Sequence, residues 1–293
     1  MSRCPIYMAA ALLLGWTSVQ AAPPRRLSAS DGMQEVSSKE VDTAHLLPKD
    51  IKVLRDPAYK WKHLQTEHFI IHYDQKMFAA KVARFAESFY TAISADLPNW
   101  KDRVSPARSH IFIFNVHPRE WRAFLDGQGA MEWGVSFCRG NALYLQELGQ
   151  STSQKMELLA HEITHLVFNR FLPFPIPLWL NEGLAEYYGE FAYRAAKGMG
   201  QSRKQAFPPL RNACPLPTLN FACAIRHDIE AVRVFYDTSK YLVGYLRLKH
   251  SPENWDAFFA RVTYGEEAWA ALLSTYGWAD IEALEKDFRK FIR

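Results

Sequence analysis

The chain has 293 residues, of which 48% are apolar and 23% charged, and its formal net charge is +4. This balance is typical of a globular protein and excludes a wholly disordered, collagen-like or multi-span membrane chain. The charge is too small and too evenly distributed to indicate nucleic-acid binding, so we expect no nucleic-acid partner.

The first 22 residues have the pattern of an export signal. A positively charged start is followed by a short apolar stretch over 5–16 and then by the small residues Ala21 and Ala22. The pattern predicts a secretory signal peptide over 1–22, cut after Ala21 or Ala22. We therefore expect an exported protein, periplasmic or secreted, with no stable membrane insertion after cleavage. Residues 23–57 are polar and show no clear period, which predicts a flexible linker or arm.

Residues 58–150 predict a lobe that carries a small mixed sheet with helices. Apolar runs of strand length alternate with segments in which apolar residues recur every three or four positions. The predicted elements are a strand over 68–73, a helix over 77–97, a strand over 110–114, a helix over 118–125 and two short strands within 134–146. The strand over 110–114 is apolar throughout, which favours a central position in the sheet.

Residues 151–293 predict a second, helical lobe of the same domain. The predicted helices cover 151–171, 180–196, 228–249, 255–262, 266–276 and 280–292. Prolines 173, 175 and 177 predict a loop between the first two of them. A sheet-bearing first half packed on a helical second half is an α+β fold.

The most informative motif is His161-Glu162-Ile163-Thr164-His165. Histidines four positions apart on a helix share one face, so both imidazoles can reach one tetrahedral ion. Glu162 lies one step round the helix, beside the ion, where it can take a proton from water. The motif therefore predicts a catalytic zinc site with His161 and His165 as ligands and Glu162 as the base.

A catalytic zinc site needs a third protein ligand. Glu182 follows His165 after 16 residues, most of them in the proline-rich loop, so a second helix can return and present this carboxylate. Glu186 lies one turn further on the same face, where it can hold the free nitrogen of a ligand histidine. Asn181, beside Glu182, is a second candidate for that orienting role. A solvated surface charge is the alternative for Glu186.

Cys214 and Cys223 lie nine positions apart in a proline-rich segment. In an exported protein this spacing predicts a disulfide. Cys138 is the odd cysteine, and we expect it to be a small buried apolar residue.

The two motifs together resemble the gluzincin metallopeptidases, the thermolysin-like clan. From Trp61 to about Phe259 the chain is similar to bacterial peptidase-MA-like domains of mostly unassigned function, and Asn-Glu-Gly-Leu-Ala-Glu over 181–186 is the second motif that carries the likeness. The resemblance implies a zincin-like fold and one Zn²⁺ per chain, held by His161, His165 and Glu182.

A further likeness concerns large zinc aminopeptidases, which carry Gly-x-Met-Glu-Asn before the zinc helix. Here Gly129-Ala130-Met131-Glu132 is followed by Trp133, and the likeness would give Glu132 the substrate's free amine. Those enzymes also use a helical tyrosine to stabilise the oxyanion. Tyr236 matches that position and Tyr241 is the fallback, while simple packing between helices is the alternative for both.

These features predict an exported zinc metallopeptidase that acts on peptides or proteins. The backbone around Gly134 is expected to hold substrate as an added strand. An aminopeptidase using Glu132 is one alternative, and a non-catalytic zinc-binding envelope scaffold is another. Residues 23–57 could also act as an inhibitory arm. Substrate, cleavage preference and oligomeric state are not predicted by the sequence.

Overall fold

The computed structural model describes residues 32–97, 107–129, 134–147, 152–170, 172, 176–199, 207–225 and 228–293. The predicted signal peptide lies outside these residues. Within them, no helix combines the length and the apolar character needed to cross a membrane.

The fold is α+β, as predicted, with one mixed sheet and helices in both halves of the chain. The strands are β1 (Gln34–Val36), β2 (Lys62–Gln65), β3 (Phe69–Tyr73), β4 (Ser109–Phe114), β5 (Ser136–Arg139) and β6 (Ala142–Gln146). Their order is β1-β2-β3-β4-β6-β5. The pairs β3–β4 and β4–β6 are parallel and the other three are antiparallel. The strand predicted to be central, β4, lies between two partners and is buried along its whole length.

All the described helices except the first, which lies in the segment predicted to be a flexible linker, follow the predicted pattern with shifts at their ends. They are α1 (Pro48–Arg55), α2 (Lys76–Ala95), α3 (Pro118–Gln128), α4 (Thr152–Asn169), α5 (Leu178–Ala196), α6 (Ile229–Lys249), α7 (Pro252–Thr263), α8 (Ala268–Tyr276) and α9 (Ile281–Phe291). A 3₁₀ segment, Leu216–Ile225, precedes α6. Helix α7 begins three residues earlier than predicted because Ser251 accepts a hydrogen bond from Asn254 N and caps it.

Alternate residues of the central strands face two different hydrophobic clusters. Ile111 and Ile113 of β4 belong to the large cluster that includes α2, α4, α5 and α6. Phe112 and Phe114, on the other face of β4, pack with α1 and α3. This period of two buries both faces of the sheet and explains why β4 has no polar face.

The described part of the predicted arm is integrated in the fold, which corrects the prediction of a flexible linker over 23–57. Val36 of β1 pairs with His63 of β2, and α1 buries Val53 against the sheet. The polar composition was misleading because β1 is a three-residue edge strand that needs few apolar side chains.

A buried charge attaches α1 to the other end of the sheet. Asp50 is completely buried, and its Oδ1 accepts hydrogen bonds from Arg139 Nε at 3.0 Å and from Tyr144 Oη at 2.6 Å. Arg139 also donates to Gln128 Oε1 at 2.8 Å. Because Arg139 is the last residue of β5, this network fixes the position of that edge strand.

The predicted disulfide is absent from the structure, in which Cys214 is a free cysteine. Cys223 lies in the 3₁₀ segment that begins at Leu216. A 3₁₀ helix extends the chain by about 2 Å per residue and does not fold it back on itself. The side chain of Cys223 itself is not among the described ones.

Three histidines form a hydrogen-bonded row across β2, β3 and β4 on the face covered by α1. His63 Nδ1 lies 2.8 Å from His72 Nδ1, and His72 Nε2 lies 2.9 Å from His110 Nδ1. At the far end of the row, burial lowers the pKa of His110, while the carboxylate and the backbone of Asp42 oppose that shift. At the other end His63 Nε2 lies 3.0 Å from Ser38 Oγ.

One arrangement of protons satisfies the whole row with neutral rings. In this arrangement His110 donates to Asp42 and accepts from His72. His72 in turn accepts from His63, and His63 accepts from the hydroxyl of Ser38. Burial lowers the pKa of His72 well below its ordinary value, and the two neighbouring histidines lower it further. Burial also lowers the pKa of His63, and it lowers the pKa of His110 to about 4 against the attraction of Asp42.

We expect Asp50→Ala to lower the free energy of unfolding by about 3 kcal/mol, because it leaves Arg139 without its buried partner. Asp56→Ala, at an exposed position just after α1, is the matched control and should cost less than half as much. Urea unfolding followed by circular dichroism measures both. Equal losses for the two variants would contradict a structural role for the Asp50 network.

The histidine row should make the fold less stable in mild acid. The unfolded histidines bind protons near pH 6.5 and the folded ones only at lower pH, so the free energy of unfolding falls as pH falls from 6.5 towards 4. With two such groups, His72 and His110, we expect the free energy of unfolding to fall by about 3 kcal/mol between pH 6.5 and 5. His110→Gln should remove about half of that loss, whereas the exposed control His45→Gln should keep it. Urea midpoints that fall equally in all three proteins would refute the assignment.

Candidate metal centre

The predicted ligands meet at the surface of α4 that faces α5. His161 Nε2 and His165 Nε2 lie 3.1 Å apart, and Glu182 Oε2 lies 3.5 Å from each of them. Donors of a tetrahedral ion bound at 2.0–2.1 Å are about 3.3 Å apart. The donor atoms therefore have the number, the chemistry and the spacing that a metal ion needs, and His161, His165 and Glu182 could hold one.

Glycine explains how α5 comes close enough to complete this set. A Cβ on Gly189 would lie 2.9 Å from the backbone of His161, so any side chain there would push α5 away from α4. A Cβ on Gly183 would lie 2.6 Å from the carbonyl oxygen of Ser239 in α6. Glu182 is thus carried on a helix that lies close to both of its neighbours.

The outer nitrogens of the two histidines are also held. Glu186 Oε1 lies 3.1 Å from His161 Nδ1, and Asn181 Oδ1 lies 3.2 Å from His165 Nδ1. Each contact directs the Nε2 atom of its ring towards Glu182. The structure thus places Glu186 and Asn181 where an orienting role requires them.

The carboxylates and histidines of the candidate centre shift each other's pKa values towards the charged forms. Burial raises the pKa of Glu182, but the hydrogen bonds from His161 and His165 outweigh it and the pKa lies well below its ordinary value. Burial lowers the pKa of His161, yet Glu182 and Glu186 together raise it well above the usual range. Glu182 is therefore a carboxylate at neutral pH, which is the form that binds a cation.

Glu162 is buried beside the three donors and faces the same cleft. Its Oε1 accepts a hydrogen bond from Ser136 Oγ at 2.7 Å. Ser136 belongs to β5, so the edge strand of the sheet orients the carboxylate. Sequence reasoning missed Ser136 because a lone serine in a short strand has no pattern that marks it.

The cleft has a volume of about 1030 Å³ and lies between β5 and helices α4, α5 and α6. Tyr236 lines it, and its ring centre is 6.2 Å from that of His161. Gly134 lines it as well, with its carbonyl accepting a hydrogen bond from Trp121 Nε1 at 2.7 Å. Cys138, which was expected to be a small buried residue, is only half-buried and lines the cleft.

Two other residues predicted for the site, Tyr241 and Glu132, are not found in the cleft that the structure describes. Tyr241, the fallback for Tyr236, donates its hydroxyl to the carbonyl of Pro208 at 2.7 Å and does not line the cleft. Glu132 lies outside the described residues.

No protein-family model matches this chain. No curated protein is significantly similar to it either. The assignment of a function therefore depends on the geometry of the site.

We expect the purified chain to bind one divalent transition-metal ion and His161→Ala to lose it. Glu186→Gln keeps the three donors but loses the charge that holds His161, so its metal affinity should fall by about 10- to 100-fold. Metal analysis after dialysis against a graded chelator series measures both effects. The exposed Glu282→Gln is the control, and a His161→Ala protein that retains stoichiometric metal would contradict the site.

Proposed function

We propose that this protein is an exported zinc metallopeptidase of the gluzincin type. The observation that carries the proposal is the position of Glu162, a buried carboxylate held by Ser136 beside a group of three metal donors. Binding a metal does not require a base at this position, whereas hydrolysis does. Zinc is the ion we favour because two imidazoles and a carboxylate with an open fourth position are its typical catalytic ligand set.

A zinc ion, when bound, polarises a carbonyl group and makes water a stronger nucleophile. Glu162 takes the proton of the attacking water on its carboxylate. It then passes that proton to the nitrogen of the leaving amine as the peptide bond breaks. The bond to Ser136 fixes one carboxylate oxygen, so the other faces the reacting atoms in a constant orientation.

Tyr236 is suited to stabilise negative charge on the substrate oxygen. Burial raises the pKa of its hydroxyl, and the carboxylates of Glu182 and Glu162 raise it further. The phenol therefore keeps its proton at neutral pH and can donate a hydrogen bond to a developing oxyanion.

A peptide is the substrate class that fits the cleft. β5 is the last strand of the sheet order, and its only strand partner in that order is β6. An extended peptide can add to its other side by backbone hydrogen bonds, next to Ser136 and Glu162. The volume of about 1030 Å³ leaves room for several side chains of such a peptide.

The proposal predicts that Glu162→Gln lowers kcat by roughly 1000-fold while the metal content stays the same, because the ligands are intact and the base is not. Internally quenched peptide libraries on the metal-loaded proteins give the rate. Glu282→Gln, exposed on α9, serves as the matched control and should keep wild-type activity.

Three outcomes distinguish the proposed peptidase from the two alternative functions. Near-normal turnover in Glu162→Gln would overturn the mechanism. Metal-loaded wild-type protein that cleaves no peptide in a broad library would favour a non-catalytic zinc-binding scaffold. Cleavage of peptides with free amino termini but not of their blocked counterparts would favour an aminopeptidase.

A further inference from the structure

A second cavity lies on the opposite face of the sheet from α4 and shares no lining residue with the cleft. Its volume is about 550 Å³. It is formed by the segment between β1 and α1, the end of α1 and the start of β2. The polar groups that line it are Ser38, Lys39, Thr43, Arg55, Lys60 and His63.

The charged side chains that line this cavity are all cations. Lys39, Arg55 and Lys60 are exposed at its rim, and no carboxylate is among the described residues that line it. None of the three cations forms an ion pair within the described part of the chain. Their N–H groups, eleven by their chemistry, are therefore available to an incoming anion. Three like charges around one concavity also concentrate anions there before any contact forms.

The floor of the cavity is polar and fixed. His63 is only 4% exposed, and its Nε2 atom lies 3.0 Å from Ser38 Oγ. The other nitrogen of His63 belongs to the histidine row, which holds the ring in one orientation. A ligand would therefore meet a preformed polar surface, so little ordering is needed on binding.

Two aromatic rings form the apolar wall. The ring centres of Tyr59 and Trp61 are 5.1 Å apart, with their planes tilted by 31°. Trp61 Nε1 donates to the carbonyl of Val53 at 3.2 Å, which fixes the indole. The cavity is within the size range of sites for small organic ligands and is much larger than a single oxyanion needs.

We propose that this cavity binds a small organic phosphate, with the phosphate between Lys39, Arg55 and Lys60 and an organic ring against Tyr59 and Trp61. The cations supply charge-assisted hydrogen bonds to the phosphate oxygens, with the fork of Arg55 able to bind two of them. The wall supplies the contact that distinguishes an organic phosphate from the inorganic ion. This site is independent of the metal centre and does not depend on the proposed peptidase activity.

The test is a calorimetric titration of the full mature chain with adenosine monophosphate and, separately, with inorganic phosphate. Saturable binding of the nucleotide, tighter than that of the inorganic ion, is expected. Lys39→Glu combined with Lys60→Glu should weaken it by at least about ten-fold. Lys49→Glu combined with Lys52→Glu makes the same change of charge on exposed residues of α1 outside the cavity, and should change affinity by less than about two-fold.

A second arm identifies the source of the phosphate. Vesicles of phosphatidylcholine with one-fifth phosphatidylglycerol are added to the same proteins, and co-sedimentation is measured. Binding to these vesicles that is lost only in the Lys39/Lys60 variant supports the site with a lipid headgroup as its phosphate. The proposal is overturned if neither probe binds, if inorganic phosphate binds as tightly as the nucleotide, or if both double variants lose binding equally while circular dichroism shows them folded.

Discussion

The candidate metal centre depends on how closely α5 can approach its neighbours. At Gly189 the helix meets the backbone of His161, and at Gly183 it meets the carbonyl of Ser239, with no room for a side chain at either point. Glu182 immediately precedes Gly183 in the chain. A methyl group at either glycine would lie closer than 3 Å to backbone atoms, so α5 or its neighbour would have to shift. The 3.5 Å distances from Glu182 to the two histidines depend on this close approach. The absence of a side chain at Gly183 and at Gly189 thus permits the helix approach on which the geometry of the three donors depends.

A second set of contacts connects α1, through the edge strand β5, to Glu162 beside the donor atoms. Asp50 in α1 binds Arg139, which ends β5, and Ser136 at the start of that strand binds Glu162. The orientation of the candidate base is therefore connected, through one short strand, to a helix that lies more than 100 residues earlier in the chain. Buried charge pairs are poor sources of net stability, but they permit very few arrangements. Here that restriction falls on the strand that borders the cleft.

The features that could be predicted are those with a short period or a local signal. The spacing of His161 and His165 specified a shared helix face, and the proline-rich loop specified a return helix that brings Glu182 to them. The features that could not be predicted join residues far apart in the chain. His63, His72 and His110 come from three strands, and nothing local to any of them indicates the row. Tyr236 and Tyr241 are five positions apart on α6, and only the packing of the surrounding segments separated the one in the cleft from the one bonded to Pro208. Cys214 is free instead of forming the expected disulfide, and a 3₁₀ segment, which proline-rich composition does not predict, occupies the stretch that contains Cys223.

The integration of β1 into the sheet sets a limit on how far the N-terminus can be shortened. β1 begins at Gln34, and Met33 just before it packs against the large hydrophobic cluster. Cleavage beyond Val36 removes a strand from the edge of the sheet and exposes the backbone of β2 to other chains. Cleavage beyond Asp50 also deprives Arg139 of its carboxylate. A chain shortened beyond Val36 would therefore be prone to aggregate through its newly exposed strand edge.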